Sequence, residues 1–203
     1  MVEGLGADFF DRPAREVAPD LIGCVLEAHG VAGVIVEVER YESWDAASHS
    51  FRGPTPRSRV MFGPPGRLYV YRSYGLHWCA NVVCGGRGGA GAAVLLRAVE
   101  PRDGLALMRG RRGSAEDRDL CRGPGRLAAA FAITGADNGT PLMFDTPGLR
   151  VLARANTRIE IVQGPRVGIS RDVARPWRYA LAHSSWVSRP RAVSRMSREW
   201  IAA

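Results

Sequence analysis

GVIVEVERY, residues 33–41, alternates side chains with the two-residue period of a β-strand. This period puts three valines on one face of the strand (Val34, Val36, Val38) and the alternate residues on the other face (Ile35, Glu37, Glu39, Tyr41). Residues 24–28 form a second such run, and the intervening His29-Gly30 is typical of a tight turn. The region is therefore predicted to be a β-hairpin whose second strand brings carboxylates next to an aromatic ring.

The rest of the chain predicts more short strands and a few helices. Residues 68–72 and 76–84 predict a second hairpin, whose turn Ser73-Tyr74-Gly75 puts Tyr74 near the tip. Further elements are expected as follows: a helix capped by Asp11 and interrupted at Pro19, a strand over 92–99 ended by Glu100-Pro101, helices over 103–110 and 124–133, and strands over 151–154, 159–162, 167–170 and 177–182. The fold class predicted from this pattern is α+β, with residues 1–203 as a single domain around a mainly antiparallel sheet.

Charge is distributed unevenly along the chain. All 28 basic residues are arginine and the net charge is +8, with −7 carried by residues 1–50 and +15 by residues 51–203. Arginine binds phosphate through paired N–H groups, so a polyanion is the expected partner. Codon bias in a GC-rich genome is an alternative cause of the composition. Without lysine, the chain has no amine for a Schiff base or a phosphate loop apart from its terminal α-amine.

Cysteine usage and hydropathy indicate the compartment. The four cysteines (Cys24, Cys79, Cys84, Cys121) have no metal-binding spacing and are expected to be reduced and buried. No apolar run is long enough to span a membrane, and no basic start followed by an apolar run suggests a secretory signal. We expect an intracellular protein without membrane contact.

The end of the first hairpin is the first candidate site for chemistry. Glu39 closes an apolar strand, Tyr41 follows it, and His49 lies in the long polar segment 43–66. Such a carboxylate beside an aromatic ring suits a general base next to a stacking surface, although a solvated strand edge is the alternative. Glu37 is either a solvated acid or a structural partner of an arginine. Two acids at this spacing lack the third acidic group that a divalent metal site would need, so no metal is expected.

The second candidate site lies mainly on the second hairpin. Tyr69 and Trp78 are expected in the core, whereas Tyr74 at a hairpin tip suits a wedge between base pairs. Asn81 and Arg97 each lie within an apolar strand, so each must be paired in the core or face a polar pocket. Residues 183–186, His-Ser-Ser-Trp, are equally compatible with lining a site and with packing.

Taken together, these motifs resemble those of the alkyladenine (3-methyladenine, methylpurine) DNA glycosylase family over nearly the whole chain. The motifs are residues 37–41 with His49-Ser50, Thr55-Pro56-Arg57, Met61-Phe62, Tyr69-Val70-Tyr71, Tyr74-Gly75, Asn81, residues 95–98 with Glu100-Pro101, Leu120-Cys121 and Gly123-Pro124. The resemblance implies a curved antiparallel sheet in a single mixed domain. It also implies base-excision repair, in which the bond between a damaged purine and deoxyribose is hydrolysed.

The resemblance also implies a role for individual residues. Glu39 matches the general base, Arg97 a catalytic-site arginine, Tyr74 the intercalating residue and Asn81 the amide that excludes guanine. Tyr41, His49 and Tyr71 match the pocket around the flipped base, where His49 also offers its backbone amide. The sequence departs from the family at Arg40, where alanine is usual, at Ser58, and in a loop before His49 that is one residue shorter than in the mammalian member.

The expected protein is a monofunctional glycosylase for alkylated or deaminated purines: 3-methyladenine, 7-methylguanine, hypoxanthine and ethenoadenine. Its expected partner is double-stranded DNA that contains such bases, in the bacterial cytoplasm, with the protein as a monomer and with no cofactor. The alternatives are a non-catalytic module that binds damaged DNA or structured RNA, and a small-molecule nucleoside hydrolase, which explains neither Tyr74 nor the surplus arginine.

Overall fold

The computed structural model of the protein describes residues 4–85, 90–113, 116–143, 145–156, 158–188 and 194–195. Nine strands in these ranges form one antiparallel sheet: β1 Val25–Ala28, β2 Val31–Tyr41, β3 Leu68–Ser73, β4 His77–Cys84, β5 Ala92–Asp103, β6 Leu149–Leu152, β7 Ile161–Gly164, β8 Arg178–Leu181 and β9 Ser194–Arg195. Four α-helices accompany it: α1 Ala7–Phe10, α2 Ala14–Leu21, α3 Leu105–Arg112 and α4 Pro124–Ala130. This architecture confirms the predicted α+β class.

Strand β2 organises the sheet because three strands pair with it. One edge of β2 pairs with β5, and the other pairs first with β1 and then with β8. The main path of the sheet is β3-β4-β5-β2-β8-β7-β9, while β1 joins β2 to β6. The sheet is curled into a half barrel, so the curvature implied by the family resemblance is present.

The main core lies between this sheet and the helices. Ile35 and Val38 of β2 pack there with Val17 of α2 and Leu127 of α4, all fully buried. Burial of such side chains stabilises the fold by roughly 1.5–3 kcal/mol each. The helices therefore cover one face of the sheet and leave the other face free to form the floor of a cleft.

A double irregularity in the β2–β5 pair changes which side chains share a face. Glu37 pairs with Ala98 and Val38 with Leu96, so neither Val36 nor Arg97 has a Cα partner in this register. Because such a bulge shifts the alternation by one residue, Val38 joins Ile35 in the main core. Val34 and Val36 form a separate small cluster with Ala98. The predicted grouping of Val38 with Val34 and of Ile35 with Glu39 is therefore wrong.

Several predicted element bounds also need correction. Strand β5 continues through Pro101 to Asp103, because Pro101 pairs with Gly33 at a register shift, where a missing N–H is tolerated. Asp11 ends α1 instead of capping α2, which begins after Pro13 and continues through Pro19 to Leu21. Residues 167–170 are not a strand. Pro124 does begin α4 as predicted, but this helix ends at Ala130 instead of reaching residue 133.

The two hairpins are confirmed, with turns at His29-Gly30 and at residues 74–76. All four cysteines are free and buried, as expected. Among the described residues, no helix has the length and hydropathy needed to cross a membrane.

Candidate active site

A cleft of about 780 Å³ opens on the face of the sheet opposite the main core. Strands β2 to β5 form its floor, and two loops that are distant in sequence, residues 46–49 and 167–171, form its walls. The β3–β4 hairpin tip, residues 73–75, lies at its rim. The cleft therefore gathers side chains from both regions that the sequence marked as candidate sites.

Glu39 lies fully buried beside this cleft, and its carboxylate has two hydrogen-bond donors and one ion-pair partner. The backbone N–H of Val167 donates to Oε1 at 2.7 Å, and the hydroxyl of Tyr41 donates to Oε2 at 2.9 Å. The Arg97 guanidinium lies 3.3 Å from Oε1. A carboxylate offers about four lone-pair positions, so the two hydrogen bonds and the contact with Arg97 leave room for a further donor.

Two opposing effects set the basicity of Glu39. Burial raises the pKa of the Glu39 carboxyl, while Arg97, the Val167 N–H and the Tyr41 hydroxyl lower it, and the charge of Glu37 raises it further. Burial and the adjacent Glu39 raise the pKa of Tyr41 well above its ordinary value, so the Tyr41 hydroxyl keeps its proton and donates. The result is an anion that is stabilised but more basic than an exposed carboxylate.

Glu37 is a structural partner of arginine, which is one of the two alternatives that the sequence left open for it. Its carboxylate is fully buried and lies within 3.3 Å of Arg97 and within 3.2 Å of Arg178. Ser188 also donates to it, through the backbone N–H at 2.6 Å and the hydroxyl at 2.9 Å. The alternative of a solvated strand edge is therefore wrong for both glutamates.

Aromatic rings line one wall of the cleft. The His49 ring meets Tyr71 edge to face at 4.5 Å, and Tyr69 lies 5.5 Å from Tyr71 at a tilt of 30°. Nδ1 of His49 is hydrogen-bonded to the Tyr69 hydroxyl at 2.9 Å. Burial and the charge of Arg57 lower the pKa of His49 to about 4. The His49 ring is therefore uncharged at neutral pH, like the two tyrosine rings beside it, and these rings suit stacking against a flat ring.

Tyr69 was predicted to pack in the core, and it is buried against Met61, Val83 and Ala93. Its hydroxyl nevertheless reaches His49. Asn81 lies opposite Tyr69 on β4, lines the cleft, and donates from its amide nitrogen to the Tyr69 carbonyl at 3.0 Å. Asn81 is thus both a paired amide and a cleft residue.

Tyr74 is 88% exposed at the tip of the β3–β4 hairpin, next to Leu76, which is 71% exposed. The φ angle of Tyr74 is +49°, in the left-handed region that a bulky side chain adopts at some cost. The tight turn therefore holds an aromatic ring in solvent, where packing within the chain does not explain it.

A buried ion pair joins the two walls of the cleft, and the sequence analysis missed it. Asp45 and Arg166 form a paired contact with both side chains fully buried, in which Arg166 Nη2 donates to Asp45 Oδ1 at 3.0 Å. The Arg166 guanidinium also lies 4.6 Å from the Tyr41 ring centre. Arg166 precedes Val167, so this pair fixes the segment that donates to Glu39.

The structure brings all seven sequence-predicted site residues to one place: Glu39, Tyr41, His49, Tyr71, Tyr74, Asn81 and Arg97. It does not bring residues 183–186 there, because Trp186 packs against the Val34 cluster and His183 lies near Glu160 at the surface. Sequence reasoning missed Asp45, Arg166, Val167, Arg178 and Ser188. The only local signal for Asp45, Arg166 and Val167 was the high polarity of their loops, whereas Arg178 lies in β8 and Ser188 follows that strand. Within the described ranges, no group of three or more His, Cys, Asp or Glu side chains has the arrangement of a metal site.

Comparisons with known proteins show what the whole chain is similar to. A model of the methylpurine-DNA glycosylase family matches residues 8–185. Three bacterial relatives carry the name "Putative 3-methyladenine DNA glycosylase". The protein of Rhodopseudomonas palustris strain CGA009 is 56% identical over 182 residues, which cover 90% of this chain and 86% of the relative. The protein of Nitrobacter winogradskyi is 53% identical over 182 residues, with 90% and 86% covered. The protein of Nitrosospira multiformis is 49% identical over 181 residues, with 89% and 92% covered.

Proposed function

This chain belongs to the methylpurine-DNA glycosylase family and is a DNA glycosylase that acts in DNA repair, and we propose that it excises alkylated and deaminated purines by hydrolysis. In this reaction Glu39 activates the attacking water. The observation that carries the proposal is the buried Glu39 carboxylate, held by two hydrogen bonds and by the ion pair with Arg97 beside an aromatic cleft. The substrates are 3-methyladenine, 7-methylguanine, hypoxanthine and ethenoadenine in duplex DNA, and the product is an abasic site.

Reaching the glycosidic bond requires that the nucleotide leave the stack, which costs a few kcal/mol. Stacking of the extruded base on Tyr41, His49 and Tyr71 returns roughly 1–3 kcal/mol for that base. Tyr74 replaces the missing base in the duplex, as its exposure at the hairpin tip allows. Electron-poor purines gain most from the electron-rich ring faces, which favours alkylated bases that carry positive charge.

Hydrolysis needs one carboxylate for a cationic purine. Glu39 takes a proton from the water, the oxygen bonds to C1′ of the sugar, and the C1′–N bond electrons leave with the purine. A cationic purine then departs as a neutral base, so no general acid is needed, in contrast to the carboxylate pair of most glycosidases. A neutral base such as hypoxanthine needs a proton in order to leave. Glu39 thus activates the water and stabilises the developing sugar cation by its negative charge, while Arg97 holds the Glu39 carboxylate.

Selection against normal purines falls to groups in the cleft. Asn81, which lines the cleft, is assigned the exclusion of guanine by a clash with the exocyclic amino group of that base, the role that its match to the family pattern implies. The backbone amide of His49 reads the base edge. Both roles are part of the proposal.

Replacement of the proposed base is the direct test. We expect Glu39→Gln to bind a duplex with one ethenoadenine about as tightly as the wild type and to release that base at least about 10²-fold more slowly. The assay is single-turnover base release in metal-free buffer, together with lesion binding. Glu27→Gln is the matched control, because Glu27 lies in β1 and pairs with Arg150 away from the cleft. Near-normal release by Glu39→Gln refutes the assigned base, and lesion binding without release by the wild type indicates the non-catalytic module.

We also propose that the enzyme does not cut the DNA strand. A glycosylase with lyase activity needs an amine nucleophile, and the chain has no lysine. Borohydride added during the reaction is expected to trap no covalent adduct between the enzyme and an abasic duplex. An adduct that persists after the terminal amine has been blocked by acetylation contradicts the proposal.

A further inference from the structure

We propose that Glu37 is a positioning residue, whose carboxylate holds the Arg97 guanidinium in the orientation that directs one nitrogen to Glu39. This inference rests on the proposed role of Glu39. It adds a second glutamate to the machinery, one that is not in the cleft and does not touch the substrate.

The three nitrogens of Arg97 each have a separate neighbour. Nε donates to Glu37 Oε1 at 3.3 Å, and Nη2 donates to the Ser188 hydroxyl at 3.2 Å. Nη1 lies 3.3 Å from Glu39 Oε1. A guanidinium is planar, so fixing Nε and Nη2 also fixes where Nη1 points. Glu37 and Ser188 therefore determine the contact between Arg97 and Glu39.

Glu37 is itself held firmly. It accepts from Arg178 at 3.2 Å and from the Ser188 backbone N–H at 2.6 Å, in addition to its contact with Arg97. The Ser188 hydroxyl donates to Glu37 and accepts from Arg97, so it bridges the two. All of these side chains are at most 5% exposed, which makes their mutual charge interactions strong and their geometry rigid.

The cluster also balances charge. It contains two carboxylates, Glu37 and Glu39, and two guanidiniums, Arg97 and Arg178. Because Glu37 shares the positive charge of Arg97, that arginine does not bind Glu39 as an exclusive pair. An exclusive pair would occupy the lone pairs that the water needs and would weaken Glu39 as a base.

Several other groups act on Glu39 and remain when Glu37 is changed. They are the Tyr41 hydroxyl, the Val167 N–H, the Arg166 guanidinium beside Tyr41, and the Cys79 thiol across the cleft. A change at Glu37 therefore alters one electrostatic contribution while the remaining surroundings of Glu39 stay in place.

The test is the pH profile of base release by Glu37→Gln under single-turnover conditions. Loss of one negative charge leaves Arg97 and Arg178 less balanced, so the acid limb that reports Glu39 ionisation is expected to move down by about one pH unit. The plateau rate is expected to fall by about 10- to 100-fold, because the base is weaker and Arg97 is free to turn. Lesion affinity is expected to stay within about twofold of the wild type, since the aromatic wall is unchanged.

Two further variants separate charge from geometry. Arg178→Met removes a positive charge from the same cluster, so its acid limb is expected to move up, opposite to that of Glu37→Gln. Ser188→Ala removes the bridging hydroxyl without a change of charge, so its plateau rate falls while its acid limb stays in place. Opposite shifts cannot arise from a general loss of stability, which thermal melting of each variant measures independently.

Each outcome has a defined meaning. A wild-type rate and acid limb in Glu37→Gln, while Glu39→Gln is inactive, overturns the positioning role and leaves the proposed function intact. Base release that survives in Glu39→Gln overturns the proposed function itself. If Glu37→Gln does not fold, Ser188→Ala and Arg178→Met decide, and unchanged rates in both refute the inference.

Discussion

His49 shows how the cleft sets the charge of a single side chain. Its ring lies open to the cleft, yet nearby side chains desolvate it and the Arg57 guanidinium opposes a second positive charge. Both effects disfavour the imidazolium, and both lower the pKa. A neutral ring can stack against a cationic purine without repelling it, which is what the proposed substrates need.

We expect His49 to titrate with a midpoint near 4, about 2.5 units below an ordinary histidine. The depressed pKa means that the folded protein binds fewer protons than the unfolded chain between the two values, so the contribution of His49 to stability is lost as the pH falls through that window. Histidine NMR spectra recorded from pH 3.5 to 8 measure the midpoint, and His49→Asn assigns the signal. A midpoint near 6.5 contradicts the proposed environment.

The β3–β4 hairpin is the element that carries Tyr74 out of the protein. Six consecutive pairs hold its strands in register, from Leu68 with Val82 to Ser73 with His77. The hairpin tip is therefore held rigidly, and the Tyr74 ring can enter a DNA groove without any rearrangement of the sheet.

Tyr74→Ala is expected to weaken binding to a lesion duplex by about tenfold and to shorten the lifetime of the complex, because a stacked ring is worth roughly 1–3 kcal/mol. The melting temperature is expected to stay unchanged, since the side chain is 88% exposed. Stopped-flow dissociation from an ethenoadenine duplex measures the effect. Leu107→Ala is the control, because Leu107 is an exposed apolar side chain on α3. An unchanged lifetime for Tyr74→Ala rules out the wedge.

The elements with a regular period were predictable from sequence, and the irregular ones were not. Both hairpins follow from alternation, turn residues and apolar runs. The bulge at Val36 was not predictable, because nothing in the local pattern shows that Arg97 of β5 also lacks a Cα partner in the sheet. Residues 167–170 have the composition of a strand, but their backbone is fixed by Glu39, 128 positions away from Val167. Long-range contacts of this kind leave no local signal.

The residues of the candidate site also divide into those that were predictable from sequence and those that were not. Glu39, Asn81 and Arg97 were identified because a polar side chain within an apolar strand is unusual. Asp45 and Arg166 were missed because each lies in a polar loop, where a charge attracts no notice until the fold buries the pair. The family resemblance supplied roles for the first set and was silent on the second.

The whole molecule is positively charged, and its acidic first quarter is folded into the same sheet as the basic remainder. Glu37 and Glu39 account for part of that acidity, and both are buried against arginine. Much of the net charge of +8 is therefore left for the surface, where it can act on a polyanion.

Binding to duplex DNA is expected to weaken steeply with salt, with a slope of log K against log salt of about −4 or steeper. Arg171→Gln, at the rim of the cleft, is expected to lower the slope by about one, whereas Arg150→Gln, paired with Glu27, changes it little. Fluorescence anisotropy on lesion and undamaged duplexes is the measurement. Equal slopes on both duplexes indicate shared phosphate contacts, and a slope near zero excludes DNA as the partner.

The bond between the Ser188 backbone and Glu37 links strand β2 to a residue 151 positions later in the chain. During synthesis, both hairpins emerge first, but strand β5, which lies between them in the sheet, has to follow before they can join. The bond from Ser188 has to wait until residue 188 emerges, so the orientation of Arg97 toward Glu39 is fixed only after all the strands from β1 to β8 have left the ribosome.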